Sequence, residues 1–168
     1  FVRSHEIRIH DAAAFEGMRK AGRLVAEALD MIGEHVKPGV TTGELDDLVR
    51  EFTLARGGIP ACLGYKGYTR TVCTSINHVV CHGIPGDKVL KEGDIVNIDH
   101  TVIVDGWHGD SSRMYPVGEV NARARKLIEV TYDSLELGLA QVKPGNTFGD
   151  IGYAIQKFVE AQRMSVVR

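Results

Sequence analysis

From residue 12 to residue 35, apolar side chains recur at mixed three and four spacing: Phe15, Met18, Leu24, Val25, Ala28, Leu29 and Ile32. That pattern predicts one long amphipathic helix whose stripe is covered by a sheet or another helix. Asp11 is placed to cap it, and Ile7-Arg8-Ile9 just before alternates like a short strand. Val36-Lys37-Pro38-Gly39 breaks the helix, and Thr41-x-x-Glu44 forms a capping box that opens a second one running to Gly57-Gly58. From residue 59 the texture changes to short runs, strand-like over 71–74 and 78–82, punctuated by Gly64, Gly67, Pro85 and Gly86. Two longer runs, 94–104 and 107–117, flank Asp105-Gly106. A two-residue hairpin turn is expected there, because both central positions of a type I′ turn take positive φ. Helices over 121–141 and from 147 to about 163 complete the pattern. The fold class is therefore α+β.

The segment from Val36 to Arg56 aligns without gaps on Val142 to Gln162, with eight identities and the same Thr-x-x-acid helix start, at an offset of 106 residues. Each copy follows a long amphipathic helix, so residues 12–56 and 118–162 are expected to be two uses of one unit. The first copy continues into roughly sixty residues of sheet. The second reaches the end of the sequence where its sheet is expected to begin. The chain is accordingly expected to be a single, incomplete domain over 1–168, and its start on Phe1 rather than Met agrees with that expectation.

A length of 168 residues suffices for one buried core. The formal charge of −2 gives no global attraction to nucleic acid or to an anionic membrane surface. No apolar run reaches membrane-spanning length, and the first ten residues lack a signal-peptide core, so a cytoplasmic location is expected. Cys62, Cys73 and Cys81 are odd in number and lack CxxC spacing, which indicates free thiols rather than a disulfide framework or a zinc ribbon.

The hairpin carries the candidate chemistry. A two-residue turn puts Thr101 opposite Asp110 and Asp99 opposite Ser112. Parity then assigns Val96, Ile98, Val102 and Val104 to an apolar face and Asn97, Asp99 and Thr101 to the other, which Asp110 shares. Asp99 and Asp110 become diagonal neighbours about 7 Å apart at the backbone. Like charges so placed repel unless a cation lies between them, and a divalent ion suits two carboxylates. The other reading, two aspartates decorating a solvated sheet face, stays open on spacing alone. His100 falls on the apolar parity and points away from Asp99, as a hydrogen-bonded or edge histidine would; His108 shares the face of Asp110 and is a candidate outer ligand or supporting donor.

Four segments, CLGYKGY (Cys62 to Tyr68), SINHVVCHGIPGD (Ser75 to Asp87), GDIVNIDHTV (Gly93 to Val102) and DGWHGDSSRMY (Asp105 to Tyr115), together closely resemble the type I methionine aminopeptidases. The resemblance implies the pita-bread fold of two αβ halves, here the first half plus the helices of a truncated second. It further implies two divalent metal ions, of iron, manganese, cobalt or zinc, that activate a water for hydrolysis. Asp99 resembles a bidentate ligand of one ion and Asp110 the carboxylate bridging both. His82 resembles the histidine that hydrogen-bonds substrate near the scissile amide. Cys62, Tyr65, Tyr68 and Cys73 match the wall of the pocket for the methionine side chain, where polarizable and aromatic surface suits a flexible thioether.

The implied activity is removal of N-terminal methionine from nascent proteins and peptides, near the ribosome, with a small second residue preferred and a monomeric full-length form. The family's remaining ligands, one histidine and two glutamates, and its second substrate-contacting histidine are expected after residue 168. The chain alone is therefore expected to be inactive. A non-catalytic pita-bread module binding a protein or peptide terminus is the alternative. Prolidase and aminopeptidase P are disfavoured by the CLGYKGY segment and by the short amino-terminal region. Helix stripes without a second sheet to cover them are expected to cause self-association.

Overall fold

Asp11 does cap the first helix, α1 (Ala12–Gly33): its carboxylate accepts the Ala14 N–H at 2.9 Å. The computed structural model describes residues 7–167; Phe1–Glu6 and Arg168, on which the expectations about the chain's ends bear, lie outside the described residues. The buried stripe of α1 is Ala21, Leu24, Val25, Ala28, Leu29 and Ile32. Phe15 and Met18, expected on it, are instead about half exposed, at 53% and 50%. Small residues carry the contact at that end. A Cβ on Gly17 would lie 2.3 Å from the Trp107 indole, and one on Gly109 would lie 2.5 Å from the Ala21 carbonyl. The helix thus approaches the sheet through its glycine and alanine surface, and the larger side chains are turned aside. Ile7 and Ile9, at 85% and 87% exposure, form no strand, because alternation without a pairing partner leaves the backbone groups to solvent.

The second helix, α2 (Thr42–Ala55), begins with the expected capping box: Glu44 N–H donates to Thr41 Oγ1 at 3.2 Å, and Thr41 N–H donates to the Glu44 carboxylate at 2.7 Å. Four strands follow: β1 (Ile59–Pro60), β2 (Val72–Ile76), β3 (Ile95–Val104) and β4 (Trp107–Pro116). β3 pairs antiparallel with all three others, taking β1 and β2 along one edge and β4 along the other. Between β1 and β2 the chain makes a short 3-10 turn at Tyr65–Gly67. Residues 78–82, expected to be strand-like, form an irregular loop with His78, Val79, Val80, Cys81 and His82 all exposed; β2 ends before them at Ile76.

The β3–β4 hairpin has the predicted register, with Val104 opposite Trp107, Thr101 opposite Asp110 and Asp99 opposite Ser112. Asp105 and Gly106 both take positive φ, 50° and 83°, as the type I′ turn requires. Val96, Ile98, Val102 and Val104 are buried against the α1 stripe together with Leu45 and Val49 of α2. Each such aliphatic side chain contributes about 1.5–3 kcal/mol through its removal from water. Two clasps supplement the core: Tyr115 donates its hydroxyl to the Leu29 carbonyl at 2.6 Å, and Arg113 reaches Asp30 at 2.6 Å.

The chain divides into two compact units, Phe1–Glu119 and Val120–Arg168. The second contains α3 (Ala122–Leu139), capped by Asn121, and α4 (Phe148–Ala161). At α4, Thr147 donates both its N–H and its hydroxyl to the Asp150 carboxylate, at 2.7 and 2.8 Å. Gly138 of α3 faces Ile155 and Ile151 of α4, where an added Cβ would lie 2.8 Å from Ile155. α4 occupies the positions of α2 displaced by 106, and α3 ends at the displaced end of α1.

Candidate functional site

The face of β3 turned away from α1 carries Asn97, Asp99 and Thr101. Register brings Cys73 opposite Asp99 from β2 and Asp110 opposite Thr101 from β4. Thr101 donates its hydroxyl to Asp110 Oδ1 at 2.9 Å, fixing that carboxylate beside the strand. Burial pushes the Asp99 carboxyl up, the Asp110 charge pushes it further, and His82 pulls it down. Among the described residues neither aspartate has an ion-pair partner. The carboxylates therefore share a face, and Asp110 raises the electrostatic cost of charge on Asp99.

His82 belongs to a loop that docks on β2, the neighbour of β3. The Gly83 carbonyl accepts the Thr74 N–H at 2.8 Å, and the Gly83 N–H donates to Ser75 Oγ at 3.2 Å. Only glycine fits, since a Cβ at residue 83 would lie 2.0 Å from the Thr74 carbonyl oxygen. Farther on, Gly86 accepts the Gly43 N–H at 2.8 Å, and its own N–H donates to Thr42 Oγ1 at 3.0 Å. The loop is thus attached to β2 at one end and to the start of α2 at the other. His82 itself takes φ 55°, a left-handed conformation.

Cys73 is buried, and Tyr68 places its hydroxyl 3.4 Å from the Cys73 sulfur while donating to the Val72 carbonyl at 2.8 Å. Cys62 is half-buried. Burial pushes both thiols up, with Cys73 adding to the shift at Cys62 and Asp99 to that at Cys73. Burial also raises the Tyr68 phenol. Cys62, Tyr68 and Cys73 are therefore neutral. Tyr65 stands apart: it is 65% exposed in the 3-10 turn, with the Lys66 ammonium 5.4 Å over its ring. His108 is exposed on the Asp110 face of β4, and His100 is fully buried on the opposite side of β3.

Two features were missed in the pattern reading. Thr101 has only its parity to mark it. Asp46 lies on the buried stripe of α2 with Leu45, Val49 and Thr53, so an acid at an apolar helical position was the available signal.

The donor set suits a divalent cation in kind, because paired carboxylates without a counter-cation present hard oxygen ligands to one face. It is short in number. Among the described residues no group of three or more histidine, cysteine, aspartate or glutamate side chains could hold an ion, and four or more donors per ion are the norm. Two carboxylates alone fall short of that number.

The chain is 58% identical over 162 residues to a methionine aminopeptidase of Rickettsia prowazekii, covering 96% of this chain and 62% of the relative. It is 55% identical over 164 residues to the methionine aminopeptidase of Escherichia coli, again covering 96% and 62%. The solved Rickettsia prowazekii structure superposes with a TM-score of 0.95 over 97% of this chain and 66% of that one. An X-Pro aminopeptidase from Thermotoga maritima, 18% identical, shares the fold alone, with a TM-score of 0.79 over 92% of this chain and 42% of that one. The fold is the pita-bread architecture, and the chain spans 62% of the length of the two sequence relatives. Residues 16–168, which include both aspartates, the docked loop and the thiol-lined wall, match metallopeptidase family M24; the chain belongs to that family.

Proposed function

We propose that this chain supplies part of a metal-dependent aminopeptidase that removes N-terminal methionine from peptides and nascent proteins, with a small second residue preferred. The observation that carries the reading is the Asp99–Asp110 pair, two carboxylates on one face of the β3–β4 hairpin with no counter-cation among the described residues, beside the neutral Cys62, Tyr68 and Cys73 side chains. Asp99 and Asp110 would contribute ligands to two divalent ions of the iron, manganese, cobalt or zinc class. Such ions, when bound, supply Lewis-acid charge at the scissile carbonyl. Thr101 holds Asp110 in place, His82 offers its ring to the substrate near the amide to be cut, and the wall receives the thioether, with Tyr65 at its rim. The identities of the relatives support this reading, as does the match of α4 to α2 at an offset of 106, which favours a duplicated unit over 12–56 and 118–162.

Nascent chains as substrate would place the work near the ribosome in the cytoplasm, with the full-length form a monomer. Among the described residues no helix is long and apolar enough to cross a membrane. Because the donor set is short, the 168-residue chain alone is expected not to turn over.

The test replaces the matching portion of the Escherichia coli relative with this chain and measures methionine released from Met-Gly-Met-Met with Fe(II), Mn(II) or Co(II). Release is expected, and it is expected to fall by about a thousandfold or more in Asp99→Asn and Asp110→Asn, because losing a ligand removes the ion's charge from the reaction. A folded chimera that loads metal and releases nothing refutes the enzyme reading and leaves a terminus-binding module. Fast release by the 168-residue chain alone refutes the expectation that it is inactive.

A further inference from the structure

The stripe that α2 buries includes one charged residue, Asp46, which is 2% exposed. A single carboxylate oxygen, Oδ1, accepts the N–H groups of Thr71 and Val72, at 2.8 and 2.9 Å; Arg70 lies 3.9 Å from the other oxygen. Those two peptide units lead directly into Cys73. The Val72 carbonyl accepts the Tyr68 hydroxyl at 2.8 Å, and that hydroxyl lies 3.4 Å from the Cys73 sulfur. A continuous path runs from the α2 carboxylate through two backbone amides to the phenol covering the thiol. Burial pushes the Asp46 carboxyl up and Asp47 adds to this, while the Val72 and Thr71 N–H groups and Arg70 pull it down. Tyr68 and Cys73 are the other titratable groups facing it.

We propose that Asp46 is a positioning residue: by orienting the peptide units of Thr71 and Val72 it sets the Tyr68–Cys73 contact, and with it the shape of the wall that receives the thioether. The purpose of that wall rests on the aminopeptidase reading; the link from Asp46 to Cys73 does not. Two amide donors on one oxygen fix the 70–71 and 71–72 peptide units, to which the unit carrying the Val72 carbonyl is joined directly, and an apolar side chain at residue 46 could not do this.

The test uses the 168-residue chain and its Asp46→Asn, Asp46→Ala and Tyr68→Phe variants. Alkylation of Cys62, Cys73 and Cys81 by iodoacetamide at one pH is followed by peptide mass spectrometry. Asparagine keeps Oδ1 as an acceptor, so in Asp46→Asn Cys73 should react within about twofold of its original rate. In Asp46→Ala the Cys73 rate should rise about tenfold relative to Cys81, the equivalent of one lost hydrogen bond, and Tyr68→Phe should give the same selective rise. In parallel, the Thr71 and Val72 amide resonances of the unaltered chain should shift together on acidification with one midpoint, and should not do so in Asp46→Asn. This readout stands even where Asp46→Ala fails to fold. An equal rise at all three cysteines in a folded variant overturns the proposal, as does a lower melting temperature with the relative Cys73 rate unchanged, or amides that titrate separately. Failure of the aminopeptidase reading would appear as a silent chimera with these rates intact, so the two failures are distinguishable.

Discussion

His100 shows how much one buried polar ring can impose. Its Nε2 lies 3.0 Å from Thr53 Oγ1, and the Thr53 hydroxyl gives its own proton to the Val49 carbonyl at 2.7 Å. With the Thr53 proton so engaged the ring donates from Nε2, and among the described residues Nδ1 is buried without a partner at hydrogen-bond geometry. Burial pushes the His100 pKa down to about 4, against smaller upward pulls from the Thr71 backbone and Asp110. In the unfolded chain the same ring titrates near 6.5. Over the interval between those values the unfolded state holds the extra proton. Stability should consequently fall as pH drops through it, by about 3 kcal/mol once the solution is below the folded pKa. Urea unfolding from about pH 7 down to about pH 4 checks this. In the double variant Thr53→Val with His100→Leu that share of the acid sensitivity should be absent, and stability at neutral pH should be equal or higher. Parity placed His100 on the far side of β3 from Asp99. It could not reveal the Thr53 partner, which comes from a helix some forty-seven residues away in sequence.

At the scale of elements, legibility follows locality. The register of the β3–β4 hairpin was readable to the residue because its turn chemistry and its alternation are encoded within one stretch, and so were the caps at Asp11, Thr41 and Thr147, whereas Asn121, read as the first helical residue, is the cap. The stretch 78–82 misled because Val79 and Val80 look like strand residues, whereas the conformation is dictated by attachments to Thr74, Ser75 and Thr42 elsewhere in the chain. Phe15 and Met18 misled for a similar reason: periodicity marks an apolar stripe but not the point at which glycine and alanine take over the contact. The shared face of Asp99 and Asp110 was legible; the role proposed for Cys62, Tyr65, Tyr68 and Cys73 comes from motif resemblance, and the Asp46 contacts had no pattern signal beyond an acid on an apolar stripe. Gly83→Ala tests the docked loop. A methyl group 2.0 Å from a carbonyl oxygen cannot be accommodated, so the loop should detach from β2, with a loss of about 1–3 kcal/mol. Hydrogen exchange at the Thr74 amide should accelerate in that variant, while exchange along β4 stays as it was.

For the whole molecule the governing quantity is the apolar surface left in water. Leu127, Leu135 and Leu139 of α3, and Phe148 and Tyr153 of α4, are between 43% and 94% exposed. Large exposed apolar surface favours association at roughly 25 cal/mol per Å² covered. The 168-residue chain should therefore elute from gel filtration above its monomer mass, increasingly so at higher concentration, and replacing Leu135 and Leu139 by glutamate should return it toward the monomer. A compact monomer at all concentrations would contradict this.

Only eleven positions separate Asp99 from Asp110, and they are joined by a two-residue turn. Loop closure over so short a span is fast, on the microsecond scale of hairpin formation, whereas setting Cys73 opposite Asp99 joins positions twenty-six residues apart. The repulsion between the two acids is consequently met early in folding, inside a ribbon that must zip up against it. Counter-ions in the surrounding solution can thus act on the speed at which this ribbon closes as well as on the finished protein.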